Sequence, residues 1–173
     1  ELSPELHKSL DSINVNLQNH QQNIARMQLE GIGLDQIDRN INNLIKNNPA
    51  DYESLKQARN QIDVTLEATR FQQESLIPDS ISSLLRGDLE SVDNLKEIRD
   101  AVQQRQQELN TLQNQELDQI NRLEVSLENI ASLNVSSNQE INNMIGDIKK
   151  QLSIQEQIQS NMNPATVMGL LQQ

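Results

Sequence analysis

The chain has 173 residues, a formal charge of −11, no cysteine, no tryptophan, one tyrosine (Tyr52) and one phenylalanine (Phe71). The acidic balance excludes a nucleic-acid partner, whose phosphates need clustered Lys and Arg, and disfavours anionic membrane surfaces. The missing thiols exclude disulfides and Cys-based zinc sites, and no run of 18 apolar residues is present to span a bilayer.

Asn and Gln together number 44, but apolar residues recur at helical spacing through this polar background, and Gly and Pro total only nine. Ordered helices with amide-rich outer faces are expected rather than a low-complexity segment. With so few aromatics the interior must be aliphatic, as in long helix seams.

The first helix opens at Ser3-Pro4-Glu5-Leu6, where Ser3 suits a cap, Pro4 the first turn and Glu5 the positive helix end. Leu6, Leu10, Ile13, Leu17, Ile24 and Met27 mark one face. The pattern stops at Gly31-Ile32-Gly33, and a turn is expected there. A shorter helix follows, with Leu34, Ile37, Ile41, Leu44 and Ile45 on one side, ending before Pro49. The third helix is expected to run from Pro49–Asp51 to about Leu76, carrying Leu55, Ala58, Ile62 and Leu66 inward. After Pro78, residues Ile81, Leu84 and Leu85 form a brief amphipathic turn before Gly87.

Asp88 is expected to cap the next long helix, with Leu89, Val92, Leu95, Ile98, Val102, Leu109 and Leu112 inward, then Leu117, Ile120, Leu123, Leu127 and Ile130. Whether this helix turns near Gln113–Glu116 or continues is left open, because no glycine stands there. Asn134 to Ser137 makes a break, with Ser136 or Ser137 as cap, and the last helix carries Ile141, Ile145, Ile148, Leu152 and Met162.

The second half repeats the first. Ser9–Ile24 aligns with Asn94–Leu109, Leu34–Arg39 with Leu117–Arg122, and Leu76–Arg86 with Met162–Gln172, at offsets of 85, 83 and 86 residues. This predicts an all-α chain of two tandem antiparallel, coiled-coil-like three-helix bundles, residues 1–86 and 87–173, forming an elongated rod. Its ends fall at equivalent points of the repeat, as expected for two units of a longer array.

The segment INNLIKNNPADYESLKQARNQIDVTLEATRFQQESL, Ile41 to Leu76, resembles the second-helix end, loop and third helix of a spectrin-type repeat, as in spectrins, nesprins and spectraplakins. The resemblance implies a three-helix rod element of a cytoskeletal protein. The units here are shorter and lack the buried Trp usual in that family, and no functional residue is carried over.

No catalytic constellation stands out. His7 and His20 are thirteen apart, not a helical zinc pair. Asp35 with Asp38, and Glu90 with Asp93, are carboxylate pairs at i, i+3 that read as solvated faces with no apolar pocket to shift their pKa. Asn134-Val135-Ser136 fits a glycosylation triplet, relevant only in a secreted protein. His20 aligns with Arg105 where the seam skips a residue, so each is expected to be a solvated register position or a polar knob for a partner. The glutamine runs recur with them, and Gln18, His20, Gln21 and Gln22, with Gln103, Arg105, Gln106 and Gln107, form the candidate interaction face.

The expected function is therefore a non-enzymatic rod, spacer or scaffold of cytoskeletal type, without cofactor or metal, located in the cytoplasm. Its expected partners are proteins or neighbouring repeats, and the aliphatic seams close within one chain or between two as a homodimer. The alternative is a helical stalk or segment of a bacterial secreted or surface protein, an adhesin or effector.

Overall fold

The computed structural model describes residues 3–133 and 138–160. Five helices and one small hairpin follow in order: α1 (Ser3–Lys46), α2 (Tyr52–Ala68), β1 (Arg70–Phe71), β2 (Glu74–Ser75), α3 (Asp79–Leu85), α4 (Val92–Leu133) and α5 (Gln139–Ser160). The chain is all-α in class, and its packing forms two compact units: residues 1–25 with 113–173, and residues 26–112. These are not the expected segments 1–86 and 87–173, because α1 and α4 each supply residues to both units.

The reason lies at Gly31 and Gly33. The turn expected there does not form: neither glycine has a positive φ, and α1 runs unbroken through 44 residues. Its buried side chains are Leu10, Ile13, Leu17, Gln21, Ile24, Ala25 and Gln28, and they resume at Glu30, Leu34, Ile37, Ile41 and Leu44. The step from 28 to 30 is too short for one helical stripe, whose positions recur every three or four residues. One continuous helix thus changes its buried face, and the interrupted pattern reflects that change rather than a turn. The α4 helix likewise runs unbroken for 42 residues, settling the alternative left open at Gln113–Glu116 in favour of continuity.

In the first unit the start of α1, the end of α4 and α5 enclose a core of Leu10, Ile13, Leu17, Ile24, Ala25, Ile120, Leu127, Ile141, Ile145 and Ile148. His7 meets Glu140 and Gln21 meets the carbonyl of Gln151, so α5 runs parallel to α1. The pairing of His20 with Glu116, beside a groove shared by Lys8–Ile13 and Ser126–Ile130, sets α4 antiparallel. The α5 helix is capped by Asn138, whose Oδ1 accepts from the N–H groups of Glu140 and Ile141. The expected break and caps at 134–137, and the segment around Met162 and Pro164, lie outside the described residues.

In the second unit the end of α1 turns at Asn47–Asp51, through a cis Asn48-Pro49 bond, into α2. Asp51 caps α2 by accepting from Ser54 N–H at 2.7 Å. The core gathers Leu34, Ile37, Ile41 and Leu44 with Ala58, Ile62, Ile77, Ile81 and Leu85, and with Leu89, Leu95, Ile98, Val102 and Leu109 of α4 and its lead.

The α2 helix stops at Ala68 rather than near Leu76. Thr69 leaves helical geometry, and the chain folds into a hairpin with Phe71 opposite Glu74 and both turn residues, Gln72 and Gln73, at positive φ. Two adjacent positive φ values match the handed twist of a two-residue hairpin, a geometry usually carried by Asn-Gly. Phe71 is buried at the start of this turn and lies under the Arg26 guanidinium, 5.3 Å from the ring centre.

Candidate functional site

His20 sits on the rim of the α1 seam in the first unit, three-quarters covered, beside Gln21, which fills the stripe position between Leu17 and Ile24. Its Nδ1 meets Glu116 Oε2 of α4 at 2.5 Å. The ionised carboxylate only accepts, so the ring nitrogen is the donor. Asn23 adds a bond to the other carboxylate oxygen at 3.1 Å. Glu116 is thereby held on both oxygens by residues of α1.

Arg105 occupies the aligned position in the second unit. Its Nε and Nη2 donate to the two carboxylate oxygens of Glu30 at 2.6 and 3.0 Å, a bidentate fork, and Nη1 reaches Glu108 at 3.2 Å. The Glu30 side chain is only 7% exposed. The bonds to Glu30 raise the Arg105 pKa still further above its ordinary value, so the guanidinium stays charged at any pH the fold survives.

The eight residues of the predicted face therefore divide. Gln18, Gln22, Gln103 and Gln107 are exposed, as expected of a contact surface. Gln21 is 1% exposed and donates to the Gln151 carbonyl at 2.8 Å, so it belongs to the interior and not to the face. Gln106 is half-buried and donates to Asp35 at 2.7 Å. His20 and Arg105 are ties between helices of their own unit, not solvated positions. The structure thus converts half of the face into internal fastening, since a side chain on the rim of a seam reaches the neighbouring helix before it reaches solvent.

Glu30 and Glu116, which complete the two ties, were not singled out by sequence reasoning. The signal was present: in each copy an acid stands within one turn ahead of Leu-Asp-Gln-Ile, Glu30 four residues before Leu34 and Glu116 one before Leu117. His7, dismissed as a metal ligand, makes a further tie, with Glu140 of α5 at 3.1 Å and Asp11 at 3.2 Å.

Of the carboxylate pairs, Asp35 is engaged by Gln106, while burial raises the Asp38 pKa, with Asp35 nearby adding to the shift and Asn42 opposing it. The expectation that nothing shifts these groups fails for Asp38, whose Oδ1 is enclosed without a hydrogen-bond partner among the described residues. Among the described residues no group of three or more His, Asp or Glu gathers as a metal site.

Beside these ties the second unit carries an amide-lined groove of about 450 Å³ between α1 and α2, bordered by Gln36, Arg39, Asn40, Asn43, Asn60, Gln61, Val64 and Thr65. Chemically the assembly fastens helices through charge-assisted bonds and presents amides to solvent. Comparison with known proteins finds no family model, curated protein or solved structure that matches this chain.

Proposed function

We propose that the chain is a non-enzymatic helical segment that serves as a rod, spacer or scaffold. One observation carries this reading. The polar groups best suited to chemistry, His20 with Glu116 and Arg105 with Glu30, are spent on fastening α1 to α4 in each unit. A fastened pair of long helices suits a load or a fixed distance, whereas catalysis needs such groups turned toward a substrate. The unbroken lengths of α1 and α4, 44 and 42 residues, support the same reading. The spectrin-type likeness of Ile41 to Leu76 adds a cytoskeletal setting in the cytoplasm to the proposal. No helix among the described residues is long and apolar enough to cross a membrane.

Small-angle scattering with analytical ultracentrifugation tests it. The proposal expects a particle much more elongated than a globule of this mass; a compact, near-spherical particle contradicts it.

A further inference from the structure

The internal repeat and the packing do not coincide, and the mismatch identifies an interaction surface. Call residues 1–86 copy 1 and residues 87–173 copy 2. Of the ten buried side chains in the core of the first unit, five come from copy 1 and five from copy 2. In the second unit, nine of fourteen come from copy 1 and five from copy 2. Neither copy encloses a core of its own.

The polar ties cross in the same sense. His20 of copy 1 takes Glu116 of copy 2, while the residue aligned with His20, Arg105 of copy 2, takes Glu30 of copy 1. Each copy offers the aligned position, 20 or 105, and receives an acid from the stretch ahead of Leu-Asp-Gln-Ile in the other copy, Glu116 one residue before Leu117 and Glu30 four before Leu34. The exchange is therefore reciprocal in its helices, as in an isologous dimer, although the two acids do not align. Here the two partners are fused into one chain, and the fusion is a single stretch, residues 86–91, between α3 and α4. Arg86, Gly87 and Asp88 are exposed in that stretch. Arg59 of copy 1 donates to the carbonyls of Leu85 and Gly87, Asn48 of copy 1 to the carbonyl of Glu90, and Asn94 of copy 2 to the carbonyl of Asp88, so side chains of both copies hold the link.

We propose that each copy is a docking module for the other, so that copy 1 of one molecule takes copy 2 of another through the contacts it makes at home. The partner this surface fits is a second molecule of the same chain. The covalent link selects the internal pairing by raising the local concentration of the two copies, and nothing in the contacts themselves distinguishes a copy in cis from one in trans. The inference stands apart from the spacer reading, since it concerns what the copies recognise and not what the assembly does.

The test uses the full chain with a protease site inserted between Gly87 and Asp88. After a single cut at micromolar concentration, the two pieces are expected to elute together with helical circular dichroism intact. Mixing with an isotopically heavy cut chain should then give light–heavy pairs by native mass spectrometry, rising toward half of all pairs. Arg105→Glu in the heavy copy 2 should deplete it from pairs with light copy 1, and Glu30→Arg in that copy 1 should restore it. Pieces that part and lose their helicity after the cut overturn the proposal. So do pieces that stay paired but never mix, and so does mixing that ignores the charge reversal.

Discussion

Gly33 is held to glycine by a neighbour rather than by its own backbone. A Cβ built there collides with the Thr69 side chain, which is buried at the end of α2 and donates to the Thr65 carbonyl at 2.6 Å. At Gly31 an added Cβ meets nothing within 4 Å. The two glycines of one tripeptide should therefore respond with opposite signs. Gly33→Ala is expected to cost about 1–3 kcal/mol through overpacking, while Gly31→Ala gains about 1 kcal/mol of helix propensity, both read from urea midpoints. The same scale governs the Arg105 tie. Arg105→Met leaves the Glu30 carboxylate covered and unpaired, and a loss of about 2–3 kcal/mol is expected, below the range for fully buried pairs because Arg105 keeps 27% of its side-chain surface. Adding Glu30→Met should recover most of it.

Asp38 supplies a pH signature. Its folded pKa is raised chiefly by burial, so the folded state holds a proton more readily than the unfolded chain. That contribution to stability is complete below the unfolded value of about 4 and is lost as pH rises through the raised folded value. Asp38→Asn should therefore raise the urea midpoint at neutral pH, with the advantage shrinking as pH falls through the raised folded value and gone by about 4. Asp51 behaves oppositely: its bond from Ser54 lowers its pKa, so the cap supports α2 at neutral pH and fades on acidification.

At the scale of elements, the positions of the inward residues were readable and the path of the chain between them was not. Leu10, Ile13, Leu17, Ile24, Leu34, Ile37, Ile41 and Leu44 were assigned inward from their spacing, and all are buried. Spacing alone does not say whether a lost phase means that the chain turns or that a straight helix changes faces, and at residues 28–30 the glycines made the turn the natural reading. The hairpin after α2 escaped for a different reason. Its turn is Gln72-Gln73, residues that give no signal for positive φ, and Arg70-Phe71 and Glu74-Ser75 are too short for alternation to register. Replacing Gln72-Gln73 by Asn-Gly puts the favoured residues at both positions. It should stabilise the second unit by about 1 kcal/mol, read as slower amide exchange around Phe71 and Leu76.

At the scale of the whole molecule, the all-α class was legible and the path of packing was not. Aligned segments led to the expectation of two copies, each a bundle; they do not disclose which segment covers which core. That depends on whether the long helices bend at their midpoints, and it was decided by the continuity of α1 and α4. The candidate face divided on the same ground. Glutamines pointing away from both neighbours stayed exposed, while Gln21, His20, Arg105 and Gln106 met a helix from the other copy. The most direct measurement of this crossed packing is a methyl–methyl nuclear Overhauser map of the intact chain. Crossed packing predicts contacts from Leu17 and Ile24 to α4 and α5 methyls of the first unit, such as Ile120 and Ile148, and none from Leu17 to Ile37 or Ile41. Cross-peaks joining Leu17 to Ile37 or Ile41 would mean that the chain folds back at Gly31–Gly33 and would contradict it.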